Sequence, residues 1–160
     1  MKALTLKHPW AFAICHMGKR IENRSWMPPP RLIGHTIAIH GGMQPKARAA
    51  LEDIAAVGRD LLRRFGIPEG FSDVTLQEMI MPGIVATATL SAVLRNSRDP
   101  WFDHSGYGWG LSNVMVLPSP IACGGAQGLW DVPEELVREI NKANGEDAIL
   151  TEAIRQALAK

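Results

Sequence analysis

The chain has 160 residues, 46% of them hydrophobic, and 17 Lys and Arg against 16 Asp and Glu leave a net charge of +1. That size and apolar content let one domain, residues 1–160, bury a core without disulfide or metal staples. The apolar runs are too short to cross a bilayer, and the opening residues lack the apolar segment and cleavage site of a secretory leader; no membrane association and a cytoplasmic location are expected.

Residues 3–6, Ala3-Leu4-Thr5-Leu6, read as a short strand, and His8-Pro9 then opens a helix with proline at its first position, where a missing N–H costs nothing. Gly18 is its stop. From Lys19 the pattern turns to period two, which sets Arg20, Glu22, Arg24 and Trp26 on one face of an extended segment and Ile21, Asn23 and Ser25 on the other. The three prolines after Met27 cannot continue a ladder and predict a surface loop. Residues 34–40, β-branched at Thr36, Ile37 and Ile39, give the next core strand, closed by Gly41-Gly42. Over 46–65, Leu51, Ile54, Ala55, Leu61, Leu62 and Phe65 recur at helical spacing, which predicts a long amphipathic helix that packs through them and touches no ligand. Residues 73–79 add a helical turn or two. The strongest strand is 83–93, followed by two shorter ones, 107–111 and 114–117, and by a glycine-rich edge or bulged strand over 122–129. Two short helices, 133–143 and 148–158, separated by Gly145, end the chain. Short strands with interspersed helices predict an α+β fold organised around a small mixed β-barrel.

Charge is uneven along this order. Residues 1–48 carry eight Lys and Arg (Lys2, Lys7, Lys19, Arg20, Arg24, Arg31, Lys46 and Arg48) and one acid, Glu22, a balance of +7, whereas the remainder sums to −6. A basic face for phosphates is the functional implication, and a salt-bridged surface is the alternative. Arg24 offers a planar bidentate fork and Lys19 a point charge, and Glu22 between them can orient both. Binding through such cations, Lys19 included, predicts an affinity that falls with salt. Trp10, Trp26 and Trp109 offer faces on which an unpaired base can stack; the competing role is core filling, which is favoured for Trp109 and Trp130. Cys15 and Cys123 sit in unrelated contexts and read as free thiols. The five histidines form no H-x-H or H-x-x-x-H pair, so neither a metal nor another cofactor is expected.

Lys7-His8-Pro9-Trp10, followed by Gly18-Lys19-Arg20-Ile21-Glu22-Asn23-Arg24-Ser25-Trp26, resembles the signature of the ASCH family (activating signal cointegrator homology). In that signature a strand ending near a Pro-Trp dipeptide leads through a helix to a G-x-K-x-x-E-x-R strand, which Gly18, Lys19, Glu22 and Arg24 match in order. Residues 34–40 are similar to the strand that leads to the family's A-x-H element, and residues 83–87 to its G-x-I-x-A/G strand. Residues 107–111 look like its aromatic strand, and residues 125–130 like a late G-A-Q-G-L-W element. The resemblance spans roughly residues 3–132. It implies a PUA-like β-barrel flanked by helices, with a basic cleft for single-stranded RNA or a modified nucleotide, to which Lys7, Trp10, Lys19, Arg24, Ser25 and Trp26 would contribute. Amide-hydrolysing relatives of the fold place a hydroxyl three residues after the lysine, where this chain has Glu22. The enzymatic alternative, a ribonuclease or modified-nucleoside amidohydrolase, therefore rests on Lys19 and Glu22 as an acid–base pair, assisted by His8 or His40. The third alternative is a protein-interaction module that uses the Pro28-Pro29-Pro30 loop or the terminal helices.

Overall fold

A computed structural model describes residues 1–159, with the side chains of residues 146–148 outside the description. β1 (Lys2–Leu6) and β3 (Thr36–Gly41) pair in parallel, and antiparallel partners widen the sheet on both sides. β4 (Gly83–Leu94), β5 (Tyr107–Ile121) and β2 (Ile21–Arg24) follow beyond β3, and β6 (Leu129–Asp131) lies beyond β1. The strand order β2-β5-β4-β3-β1-β6 makes a curled, mixed half-barrel, flanked by α1 (Trp10–His16), α2 (Arg48–Phe65), α3 (Leu76–Met79) and α4 (Glu134–Leu158). The α+β class expected from the sequence is the one observed.

Successive strand residues point to opposite faces, and both faces of this sheet are apolar, so both need a cover. Leu4, Leu6, Ile37, Ile39, Leu90 and Trp109 form one core, which Ala11 and Ile14 of α1 complete. Ala3, Ala38, Ile84 and Leu117 form the other with Val132 and with Ile140 of α4. Phe12 on α1 gathers Val74, Met79 and Leu62 into a third cluster, which ties α2 and α3 to the body. The expected α2 stripe is present: Ile54 and Leu61 are buried, and Leu51, Leu62 and Phe65 are half-buried.

Several local expectations are corrected. Pro9 caps α1 and the helix starts at Trp10; Gly18, at φ +71, then turns the chain where a side chain would be strained. The proline loop is less exposed than expected, since Pro28 is buried and Pro30–Leu32 forms a 3₁₀ turn. The two strands expected over 107–117 are one strand, β5, because Asn113 takes a left-handed φ of 47 and the ladder absorbs it as an irregularity opposite Thr87 and Thr89. Of the glycine-rich run only Leu129 joins a strand, β6. Gly145 does not separate two helices but lies inside α4, since one glycine costs a helix only about 1 kcal/mol relative to alanine. No helix among the described residues is long and apolar enough to cross a membrane.

Candidate functional site

The ionic centre of the molecule is built by the short stretch between α1 and β2. After the Gly18 turn the Lys19 backbone N–H donates to Ala13 O, and the Arg20 guanidinium folds back to donate to Ile14 O, a carbonyl in the last turn of α1, and to Lys19 O in the turn itself. Lys19 is thereby drawn inside, at 2% exposure, which an ammonium tolerates only with partners. Its Nζ donates to Ile21 O and to Glu22 Oε2, the latter at 2.9 Å, and lies 5.7 Å from the centre of the Trp10 ring. Glu22 Oε1 faces Arg24 Nε at 3.3 Å, at an angle too poor for a hydrogen bond, so that contact is Coulombic. Arg24 Nη2 donates to Thr5 O at 3.1 Å. The carboxylate thus lies between two cations, and the trio carries one net positive charge.

A cavity of about 380 Å³ opens beside this trio. Trp10, Lys19, Glu22 and Asn23 line it from α1, β2 and the turn between them, and Leu61 and Arg64 line it from α2. The remaining wall comes from the connection between β4 and β5, through Pro100, Trp101, Phe102 and Asp103. That connection is braced rather than loose. Asn23 Nδ2 donates to Trp101 O at 2.8 Å and Asn23 Oδ1 accepts from the Asp103 N–H at 3.1 Å. The Trp101 indole stacks on Phe65 at 3.9 Å and 8°, and Arg64 reaches Pro100 O. Gly106 lets the connection return to β2, because a Cβ there would lie 2.5 Å from Arg24 O.

Of the residues singled out from sequence, Trp10, Lys19 and Glu22 meet in this cavity, whereas Arg24 lies beyond Glu22 and does not line it. Lys7 and Ser25 are exposed and also stand outside. Trp26 packs edge-on against Trp109, with ring centres 4.7 Å apart, and its carbonyl accepts the Trp109 indole N–H. Trp109 is core, at 0% exposure, and Trp130 is half-buried, donating to Thr5 Oγ1. The two histidines considered as assistants are buried elsewhere. His8 Nε2–H donates to Gly42 O and His8 Nδ1 accepts from the Met81 N–H, while burial pushes the His8 imidazole below its usual range. His40 is held between Thr5 Oγ1 and Cys123 O. Burial pushes the Cys15 thiol up to about 12, which makes it a poor nucleophile, and both cysteines are free.

The α2 helix does reach the cavity, contrary to the expectation that it stays clear of any ligand site. Asn23, Trp101 and Asp103 were also missed. Period-two alternation places Asn23 on the strand face opposite Glu22, and Trp101 sits in a connection with no periodicity, marked in the sequence by the turn chemistry of Asp99-Pro100. No serine, threonine, cysteine or histidine lines the cavity among the described residues. It therefore offers charge, an amide and flat aromatic surface, but no nucleophilic hydroxyl or thiol. No known family model matches this chain, and no curated protein matches it in sequence.

Proposed function

We propose that this chain is an ASCH-type, PUA-like nucleic-acid-binding domain that takes one unpaired base of a single strand into the cavity beside Lys19 and Glu22. The observation that carries the proposal is the convergence of two indoles, Trp10 and Trp101, with an ion-paired lysine and carboxylate and a side-chain amide around about 380 Å³. A volume near the lower end of the range for small-ligand pockets, about 300–1,000 Å³, suits a base or nucleoside and is too small for a duplex. An aromatic wall binds any base by its face, and polar groups fixed by their own partners read its edge without reorganising. RNA is put before DNA on the family resemblance alone. The hydrolytic alternative would require Glu22 or Lys19 to activate water directly, since no hydroxyl or thiol lines the cavity among the described residues; binding is the simpler use of the same groups. The protein-interaction alternative has one observation in its favour, the exposure of Ile149, Leu150, Ile154 and Leu158 along the end of α4.

The test is a fluorescence-anisotropy titration of a short single-stranded RNA and the matching DNA at low salt, with product analysis of the mixture at the end. Trp10→Leu and Trp101→Ala, each checked for folding by circular dichroism, should weaken binding about 5- to 150-fold, the range for loss of one base stack. If the folded wild type binds neither polymer, or if both variants bind as tightly as wild type, the proposal is wrong. Cleaved RNA, or deacylation of an N-acylated nucleoside added in a parallel sample, would move the hydrolytic alternative to first place.

A further inference from the structure

At the start of β1, the end opposite the one that leads into α1, a second cavity of about 450 Å³ is lined by Lys2, Arg31, Leu32, His35, Thr36 and Asp131, together with Met1. Asp131 is the single acid among these residues, and it is already matched. The β1–β6 ladder sets it opposite Lys2, and their side chains bridge at 2.9 Å. The Lys2 hydrogen bond and charge, with smaller contributions from the chain's amino group and Arg31, hold the Asp131 carboxyl below the usual carboxylate range. The bridge sets the Lys2 ammonium beside the cleft. The backbone behind Arg31 and His35 is also fixed. Ile33 N–H donates to Pro30 O, His35 N–H to Leu32 O and Gly34 N–H to Leu90 O, so the rim from Arg31 to Thr36 is pinned to β4.

The chemistry of this rim is specific. One carboxylate shares the cleft with a lysine, an arginine and an imidazole; Lys2 and Asp131 offset each other, so the excess positive charge is that of Arg31, in a concave setting where field lines concentrate. A planar guanidinium matches two oxygens of a phosphate, the Lys2 ammonium, its charge offset by Asp131, still has N–H donors to offer, and the Thr36 hydroxyl adds a neutral donor. Among the described residues no second acid lines the cavity to compete with an incoming anion. We propose that this cleft is a phosphate-binding site, separate from the Lys19 cavity, built from Arg31, Lys2, His35 and Thr36. Its ligand is a phosphate group, supplied either by a polynucleotide backbone or by free phosphate.

Amide chemical shifts of the full chain, followed by NMR while inorganic phosphate and then a short single-stranded oligonucleotide are added, test the site. Saturable shifts should centre on residues 31–36 and 131 with at least one probe. Arg31→Ala should weaken that binding about tenfold, the loss of one charged hydrogen-bonding group, and Arg31→Lys should restore part of it. Saturation by inorganic phosphate, with displacement of any bound oligonucleotide from these residues, identifies free phosphate as a sufficient ligand; a response to the oligonucleotide alone identifies the backbone. A nucleoside lacking phosphate reports on the Lys19 cavity only, so the two sites can fail separately. If residues 31–36 and 131 respond to neither probe, or if Arg31→Ala binds as well as wild type, no phosphate site exists here.

Discussion

Glu22 shows how much one carboxylate can decide in this chain. It is buried between Lys19 and Arg24, and Lys19 itself has almost no contact with solvent. Removing the carboxylate leaves an ammonium inside the protein with a single carbonyl, Ile21 O, and the face of Trp10 for company. Breaking one side of a buried pair typically costs about 3 to 5 kcal/mol, whereas replacing both partners by apolar residues of similar volume is often neutral. Glu22→Leu should therefore destabilise the fold by about 3 to 5 kcal/mol in urea unfolding. Lys19→Met should cost less, because Arg24 still neutralises Glu22, and the double variant should recover the part of the Glu22→Leu loss that comes from Lys19, while Arg24 still lacks its carboxylate. A loss below about 1 kcal/mol for Glu22→Leu would mean that solvent reaches Lys19 and that the pair is not buried in solution. The double variant also separates folding from function, since a stable protein lacking both charges should lose the edge contacts proposed for the bound base.

At the scale of elements, α2 serves the core and the cavity with the same residue. Leu61 is 2% exposed to solvent, packs inward from α2 and also lines the cavity wall. Leu61→Ala should cost about 2 to 5 kcal/mol, as for other buried leucine truncations, and unchanged thermal stability would refute the packing. The helix was legible in the sequence because its apolar positions recur at a period that only a helix satisfies. β1, β3 and β4 were legible for the equivalent reason, since β-branched and apolar residues cluster between turn signals. What was not legible depended on partners distant in sequence. Asn23 gains its role from a connection that lies 78 residues away at Trp101, and no local pattern marks that meeting. The break expected between two strands at Asn113 was absorbed by an irregularity against β4, and the break expected at Gly145 was overridden by continuous helical bonding. The charged candidates were legible as a set, through Gly18, Lys19, Glu22 and Arg24, but not which of them meet in a cavity, because Arg20 and Arg24 are turned toward backbone carbonyls.

Over the whole molecule, the excess of basic residues in positions 1–48 acts more weakly than a count of charges implies. Lys19 and Arg24 flank Glu22, Arg48 bonds to Glu52 at 2.8 Å, Lys2 bridges Asp131, and Arg20 donates to Ile14 O and Lys19 O. Lys7, Arg31 and Lys46 are exposed and stand outside the ion pairs found among the described residues, and Arg64, at the cavity wall, lies 3.7 Å from Asp60 in a partly exposed pair that a phosphate can displace. Three or four outward cations can neutralise three or four phosphates. Each releases condensed counterions, and at roughly −0.7 per contact the logarithm of the affinity for a single strand should fall against the logarithm of salt with a slope of about −2 to −3. Sequence alone predicts that Lys19 is one of those contacts. Its burial against Glu22 reverses that expectation: Lys19→Met should leave the slope nearly unchanged, as should Trp10→Leu, although both lower the affinity. Lys7→Ala and Arg31→Ala should each flatten the slope by about 0.7. The measurement is a set of anisotropy titrations of a short RNA at several salt concentrations, with wild type and the four variants. If Lys19→Met flattens the slope as much as Lys7→Ala does, Lys19 contacts phosphate directly, and a base cannot occupy the cavity beside it in the way proposed.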